Sequence, residues 1–535
     1  MPTARVASVH DLAEGEMKTV TVGETDVLLS RVEGAFHACS AHCTHYGAPL
    51  ADGTLHGCVV TCPWHHAQFD VTTGGLEGPP ALDALNRYEA FTEGDDVFVR
   101  IPDDAKETPE DASARESGGH PPDMSDPALE EDPRTFAIVG GGAAGEAAGE
   151  ALREFGFRGR IVLVTQEDAR PYDRTKLSKA FLSGDADEEA LPLRDEDFYE
   201  RHGIEVLRGA TVTRLDAEAK TIEFEVAEPL KYDRALIATG GTPRTLDVPG
   251  ADRDGVYLLR SRADAERLVQ EIDAVESAVI IGSSFIGMEA AASLTKRGLE
   301  VTVVSQDEAP FERTLGAEVG AFFQRVHEEK GVTFHLGVGV ESIGDEDGEL
   351  RVLLDNGENV TGNLVLVGVG VTPATGFLDG VTTHDKDGGV IVDSHLAAGN
   401  DLWAAGDIAH FPDARTGERV RIEHWRLAQQ HGRTAAQNMA GGATSYQGVP
   451  FFWSGQFGVS LRYVGHAEDW DEVVIDGDLD AKKFIAYYVQ GDAVLAAGGV
   501  GRDKEMTALH ALMLAGDAPT ADEVRGGVDL LARLK

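Results

Sequence analysis

Cys43-Thr-His45 and, sixteen residues later, Cys62-Pro-Trp-His65 place one thiol and one imidazole at each of two short sites. Thiolates and neutral imidazoles are metal donors, and two of each suit two chemistries. One is a 2Fe–2S cluster, with Cys43 and Cys62 on one iron and His45 and His65 on the other. Replacing two thiolates by neutral imidazoles removes negative charge and raises the potential above that of an all-cysteine cluster. The other is a single tetrahedral zinc. A one-residue Cys-x-His spacing is uncommon in zinc modules and favours the cluster, pinched between two loop tips. All four cysteines (Cys39, Cys43, Cys58 and Cys62) lie in the first hundred residues. Cys39 and Cys58 read as buried free thiols, with a pairing between them left open.

Two glycine-rich segments carry the second chemical signal. Gly140-Gly-Gly142-Ala-Ala144-Gly145 follows an apolar strand and opens a helix. Its first glycine makes the tight turn, the second lets backbone approach a pyrophosphate, and the third lets helix pack on strand. The next strand ends near Glu167, placed to accept from a ribose hydroxyl. Gly282-Ser-Ser284-Phe-Ile-Gly287 repeats the pattern with Ser284 in place of the middle glycine. Its β-carbon should displace a dinucleotide slightly. The following strand ends Ser305-Gln-Asp307-Glu308, with no acid at its tip and no adjacent Arg or Lys for a 2′-phosphate. NADH is therefore favoured over NADPH.

Flanking residues turn these signals into resemblances. Gly47 after the first Cys/His pair and Phe69-Asp70 after the second resemble Rieske ferredoxins. Ala48 and Trp64 stand where respiratory Rieske proteins carry an extra disulfide, and Ala67 and Phe69 where they carry hydroxyls. The resemblance thus implies a potential at the low end of the Rieske range, roughly −150 mV. Residues 134–445 are similar to flavoproteins with two dinucleotide-binding domains, a family that includes ferredoxin reductases of oxygenase systems and apoptosis-inducing-factor-like proteins. Pro171-Tyr-Asp-Arg174 with Leu177-Ser-Lys179 resembles the segment beside the flavin. Ala238-Thr-Gly240 resembles the return crossing, and Leu402-Trp-Ala-Ala-Gly-Asp407 the second FAD motif.

The family resemblance implies FAD as cofactor, with Arg174, Gly240 and Asp407 about it. It implies that Lys179 meets Glu289 beside the flavin N5 edge, the lysine stabilising reduced flavin and the glutamate holding the lysine. Trp425 reads either as an aromatic near the isoalloxazine or as a packing residue. No cysteine follows Cys62, so disulfide and peroxide chemistry through a thiol is excluded from the flavoprotein half. The whole chain, ending in a Phe451-Phe-Trp-Ser454 segment that agrees with the family, resembles apoptosis-inducing-factor-like proteins with an N-terminal Rieske domain. The resemblance implies electron flow from NADH through FAD to the chain's own cluster, and on to an oxygenase, a cytochrome or another ferredoxin. A slow NADH-driven redox sensor is the alternative from another class.

These sites require a multidomain chain, as 535 residues demand. Residues 1–101 form an all-β cluster domain, with strands at 17–22, 27–32, 36–38, 59–61 and 97–101. Residues 102–133 are a Pro- and acid-rich linker spanning roughly 30 Å as a flexible coil, and tethering the cluster at about millimolar effective concentration. An α/β Rossmann-like FAD domain spans 134–247 and 371–446, an α/β NAD(P)H domain 248–370, and an α+β domain 447–535. The apolar runs 136–139, 161–164, 278–281 and 301–304 read as parallel strands. Against 47 basic residues stand 92 acidic ones, a net charge of −45. That excludes nucleic acid and anionic membranes as partners and suggests a halophilic habitat. No apolar leader or run long enough to span a bilayer occurs, so the expected location is cytoplasmic. The oligomeric state is left open, a homodimer included.

Overall fold

Alternating and apolar runs resolve into the expected strands. The computed structural model describes residues 2–102, 120–195, 197–346 and 348–534. The N-terminal domain pairs two antiparallel sheets. The larger has six strands in the order Thr3–Ser8, Asp96–Arg100, Arg87–Glu93, Ala35–Ser40, Thr25–Val32, Met17–Val22. The smaller runs Thr54–His56, Val59–Thr61, Gln68–Asp70, Leu76–Gly78. The smaller sheet exists to hold a loop: the connection from Val59–Thr61 to Gln68–Asp70 contains Cys62 and His65.

The first dinucleotide unit has Thr135–Val139 at the centre of a parallel sheet, flanked by Arg160–Val164 and Arg234–Ile237. Phe136, Ile138, Ile161 and Leu163 are all fully buried, as apolar runs covered on both faces must be. Helix α1 (Ala143–Glu154) leaves the first strand through the glycine turn. The second unit repeats this with the parallel order Val256–Leu258, Leu364–Val367, Ser277–Ile281, Glu300–Val304, Thr333–His335, and with helix α2 (Phe285–Lys296). Helix α3 (Trp425–Met439) returns to the first unit and packs on α1. The crossing is close because Gly432 has no side chain: a β-carbon there would lie 2.1 Å from the Ala144 carbonyl oxygen. The C-terminal domain is a five-stranded antiparallel sheet, Phe451–Gln456, Val459–Gly465, Ala493–Val500, Lys483–Gln490, Glu472–Asp478, backed by helix α4 (Asp503–Leu514).

Of the expected linker 102–133, residues 103–119 lie outside the described residues. From His120 onward the chain is bonded into its neighbours rather than free. His120 forms a bridge with Ala84, the Ser125 amide donates to the Arg153 carbonyl at 3.0 Å, and the Ala128 amide to that of Arg158 at 2.8 Å. The cluster domain is seated on the flavoprotein. Arg194 of the first dinucleotide unit donates to Asp83 Oδ1 at 2.6 Å and to the Leu82 carbonyl at 2.8 Å across the seam.

Candidate functional site

The two cluster loops are copies of one backbone. In each, the cysteine amide donates to the carbonyl five residues on: Cys43 to Ala48 at 2.9 Å, Cys62 to Ala67 at 2.8 Å. The amide four residues on donates back: Gly47 to Cys43 at 2.9 Å, His66 to Cys62 at 3.2 Å. That fourth position is left-handed in both, φ 73° at Gly47 and φ 57° at His66. Glycine takes this conformation without strain, whereas a histidine there needs support. His66 receives it from Phe451, stacked at 3.8 Å, and from His510, whose Nδ1 lies 3.2 Å from its own.

The copied loops turn four side chains inward. His45 Nδ1 and His65 Nδ1 face each other at 3.1 Å. Burial pushes His45 down to about 4 and His65 well below its ordinary value, so both are neutral donors. Burial pushes the Cys43 thiol up. At Cys62 burial is outweighed by hydrogen bonds from the Cys43 thiol and the Trp64 and His65 amides, which favour its thiolate. Among the described residues no three His, Cys, Asp or Glu side chains converge on one point. Two thiols and two imidazoles suit a two-iron cluster, which takes two protein ligands per iron. Ala67 and Phe69 are fully buried and bring no hydroxyl to the pocket. Cys39 and Cys58 are free thiols.

The first dinucleotide turn is built for a phosphate. Gly140 has φ 118°, and a β-carbon on it would lie 2.2 Å from the Ala238 carbonyl oxygen. A β-carbon on Gly145 would lie 1.8 Å from that of Gly140. Gly142 caps α1 and opens toward Arg174, whose Nε is 4.0 Å from its β-carbon position. Gly240, at φ 64°, faces the Arg260 guanidinium, which bonds Asp407 Oδ2 at 2.8 Å. Arg174 beside the N-terminus of α1, and Arg260 beside Gly240, suit the FAD pyrophosphate. Glu167 accepts from Tyr172 at 2.8 Å and from Arg174, so the ribose acid and the flavin-side segment form one unit. Ala144 is 4% exposed, wedged against Gly406 and Gly432, so its contribution to the cofactor is confined to its backbone. Trp425 is half-buried against the first unit's core.

The second turn keeps the same shape. Gly282 has φ 110° and packs on the Gly368 carbonyl, and a β-carbon on Gly287 would lie 2.1 Å from the Gly282 carbonyl oxygen. Ser284 caps α2 and is exposed, its hydroxyl directed at the Gly368 carbonyl at 3.4 Å. Asp307 is paired with Arg313, six residues along the chain, at 3.0 Å. This places a cation near the strand tip where the sequence showed none.

Lys179 and Glu289 meet, Nζ to Oε2 at 3.1 Å, with the carboxylate 4% exposed. Lys179 lies in a single π-helical turn, Leu177–Phe181. Glu289 also accepts from Ser178 at 2.5 Å and Ser454 at 2.7 Å. Ser454 is bonded to Gln456, whose Oε1 lies 2.8 Å from His327 Nε2. The same C-terminal strand sets Trp453 beside the cluster ligands, its ring centroid 4.5 Å from that of His65 and 6.2 Å from that of His45. Tyr46 stacks on His45 at 3.9 Å and donates to Asp173 at 2.7 Å. One strand thus serves both sites, Trp453 beside the imidazoles and Ser454 on Glu289, and Trp453, Ser178 and Ser454 are members not assigned from sequence. Trp453 and Ser454 were visible as a segment, but strand pairing alone reveals which face each side chain takes.

Comparison with known proteins agrees with this geometry. Residues 134–432 match the pyridine nucleotide-disulphide oxidoreductase family, 3–89 the Rieske [2Fe-2S] domain and 451–533 the reductase C-terminal domain. The chain is 38% identical to apoptosis-inducing factor 3 of Homo sapiens over 97% of its own length and 85% of the relative's. It is 35% identical to rhodocoxin reductase of Rhodococcus erythropolis, over 75% of this chain and 94% of that one. The crystal structure of the ferredoxin reductase for the CYP199A2 system from Rhodopseudomonas palustris superposes with a TM-score of 0.72. It is 30% identical, covering 75% of this chain and all of that one.

Proposed function

Because the chain belongs to the pyridine nucleotide-disulphide oxidoreductase family, with a Rieske domain before that region and a reductase C-terminal domain after it, we propose that it oxidises NADH at FAD, passes the electrons one at a time to its own Rieske cluster, and delivers them to an external redox protein. It is an FAD-dependent NAD(P)H oxidoreductase of the ferredoxin-reductase type. FAD, when bound, supplies the chemistry that accepts a hydride and releases single electrons. Gly140, Gly142, Gly145, Arg174 and Arg260 hold its pyrophosphate. Gly282, Ser284 and Gly287 receive the nicotinamide dinucleotide. The preference for NADH rests on the strand-end segment 305–308, which carries no Arg or Lys; Arg313, exposed beside Asp307, counts against it. Cys43 and Cys62 hold one iron, His45 and His65 the other.

The observation that carries the reading is the seating of the cluster pocket. His45 and His65 lie beside Trp453, whose strand neighbour Ser454 bonds Glu289, and this supports an imidazole side turned toward the flavin. Lys179 fixes positive charge where reduced flavin gains electron density, and Glu289 holds it there. No cysteine lies in the flavoprotein half to divert electrons through a thiol.

Anaerobic titration with NADH tests the reading. Loss of flavin colour should be followed by the paramagnetic signal of a reduced two-histidine cluster, with NADPH less effective. A flavin that bleaches beside iron that stays ferric refutes the internal route. No helix among the described residues is long and apolar enough to cross a membrane. A cytoplasmic setting and adaptation to high salt complete the proposal. A melting temperature that rises with potassium chloride supports the salt adaptation, and a flat or falling one argues against it.

A further inference from the structure

A buried arginine at the domain seam has no counter-ion among the described residues. Arg426, the second residue of α3, is 1% exposed. Its Nε donates to the carbonyls of His66 at 3.2 Å and Pro79 at 2.8 Å, and its Nη2 to Gln68 Oε1 at 3.1 Å. All three acceptors belong to the cluster domain, and His66 directly follows the ligand His65. Nη1 has no partner among the described residues. No carboxylate among the described residues forms an ion pair with it, and burial pulls it down to about 10.

Other buried arginines are compensated. Arg194 has Glu150 and Asp83, Arg433 has Glu154, and Arg462, beside Cys62, shares its charge with Asp503 at 3.6 Å. Arg153 has every guanidinium nitrogen bonded to a backbone carbonyl. A cation taken out of water without an opposite charge is costly, and a group left half-satisfied needs an explanation.

The redox chemistry supplies one. An oxidised cluster of two ferric ions, two sulfides, two thiolates and two neutral imidazoles carries no net charge, and one added electron makes it an anion. We propose that Arg426 is a counter-ion of the reduced cluster, additional to Arg462 beside Cys62, brought by the flavoprotein to the second cluster loop so that docking raises the cluster's affinity for its electron. The inference rests on the assignment of Cys43, His45, Cys62 and His65 as cluster ligands. One electron enters from the flavin that NADH has charged, no bond forms or breaks, and Arg426 keeps its proton throughout. Linkage is reciprocal: a charge that favours reduction in the docked state makes reduction favour docking by the same factor. The missing side-chain hydroxyls in the pocket lower the potential, and Arg426 opposes that deficit.

The test is a potentiometric titration of the full-length holoprotein, monitored by the paramagnetic signal of the cluster, in the wild type, R426Q and R426K. An intact signal shape establishes that the two-histidine cluster is present, so failure of the ligand assignment is read separately from failure of this proposal. R426Q is expected to lower the midpoint. At the potential that half-reduces the wild type, its reduced-to-oxidised ratio should fall about ten-fold, equivalent to ~59 mV for a one-electron couple. R426K, which keeps the charge but not the fork, should stay within a third of that shift. Equal midpoints in all three proteins overturn the proposal, as does an R426K shift as large as that of R426Q. If R426Q loses its cluster, hydrogen exchange in the wild type decides. Amides of residues 66–80 should exchange more slowly in reduced than in oxidised protein, and equal or faster exchange overturns it.

Discussion

Glu289 is a buried carboxylate held by three donors from two parts of the chain, Ser178 and Lys179 in one turn and Ser454 in the C-terminal sheet. Two of these serve its position and one serves the flavin, and substitutions should separate them. Lys179→Met should slow flavin reduction by NADH roughly 10²-fold, the order expected when one donor is removed from a centre where charge develops. Stopped-flow reduction at an unchanged rate would refute a role beside N5. Ser454→Ala removes a partner from the buried carboxylate and should cost about 1–3 kcal/mol of stability. A thermal melt registers that loss, while the hydride step should change far less than in Lys179→Met. The lysine and glutamate were legible in sequence because each sits in a motif with a fixed place on the fold. Ser454 was not, since its bond to Glu289 spans 165 positions and depends on a strand face.

Short apolar runs bounded by turns were legible as elements for a simple reason: a run such as 161–164 satisfies burial only as a covered parallel strand. Helix crossings were not, because what matters there is an absent side chain. Gly432 lets α3 rest on the first turn of α1 at Ala144, the turn proposed to present its amides to the FAD phosphates. Gly432→Val should force the helices apart, costing about 1–3 kcal/mol as overpacking does, and should lower the FAD content of the purified protein. The flavin-to-protein absorbance ratio measures this. Full occupancy with wild-type melting would mean that the crossing does not hold the turn. The left-handed His66 is the converse case: a histidine in a glycine's conformation is invisible from sequence, since its support comes from Phe451 and His510 in another domain.

Over the whole molecule the acidic excess and the seams between domains decide behaviour. Buried His327 and His431 are pushed down by burial, to about 4 and about 3, from an ordinary 6.5. Their depressed values mean that the unfolded chain binds more protons, so the stability they contribute is complete above pH 6.5 and is lost as pH falls toward 4. Denaturant unfolding followed by circular dichroism should show stability falling between pH 6.5 and 5, above the carboxylate range; a flat profile there would contradict it.

The docked arrangement was not legible in the sequence, because its contacts join residues far apart in the chain. Arg194 illustrates the cost of losing one. It bonds Glu150 at 2.6 and 2.7 Å within the flavoprotein and Asp83 and Leu82 in the cluster domain, with both Arg194 and Glu150 nearly buried. Removing one partner of a buried pair strands the other, a penalty of about 3–5 kcal/mol. Arg194→Met should therefore loosen the cluster domain. Electron transfer from reduced flavin to the cluster should slow, while reduction of flavin by NADH, which does not cross this seam, should keep its rate. Double-mixing stopped flow separates the two steps. Because the pair is shielded from solvent, wild-type transfer should depend little on salt. If transfer in Arg194→Met matches the wild type, the seam is not what holds the cluster within reach of the flavin.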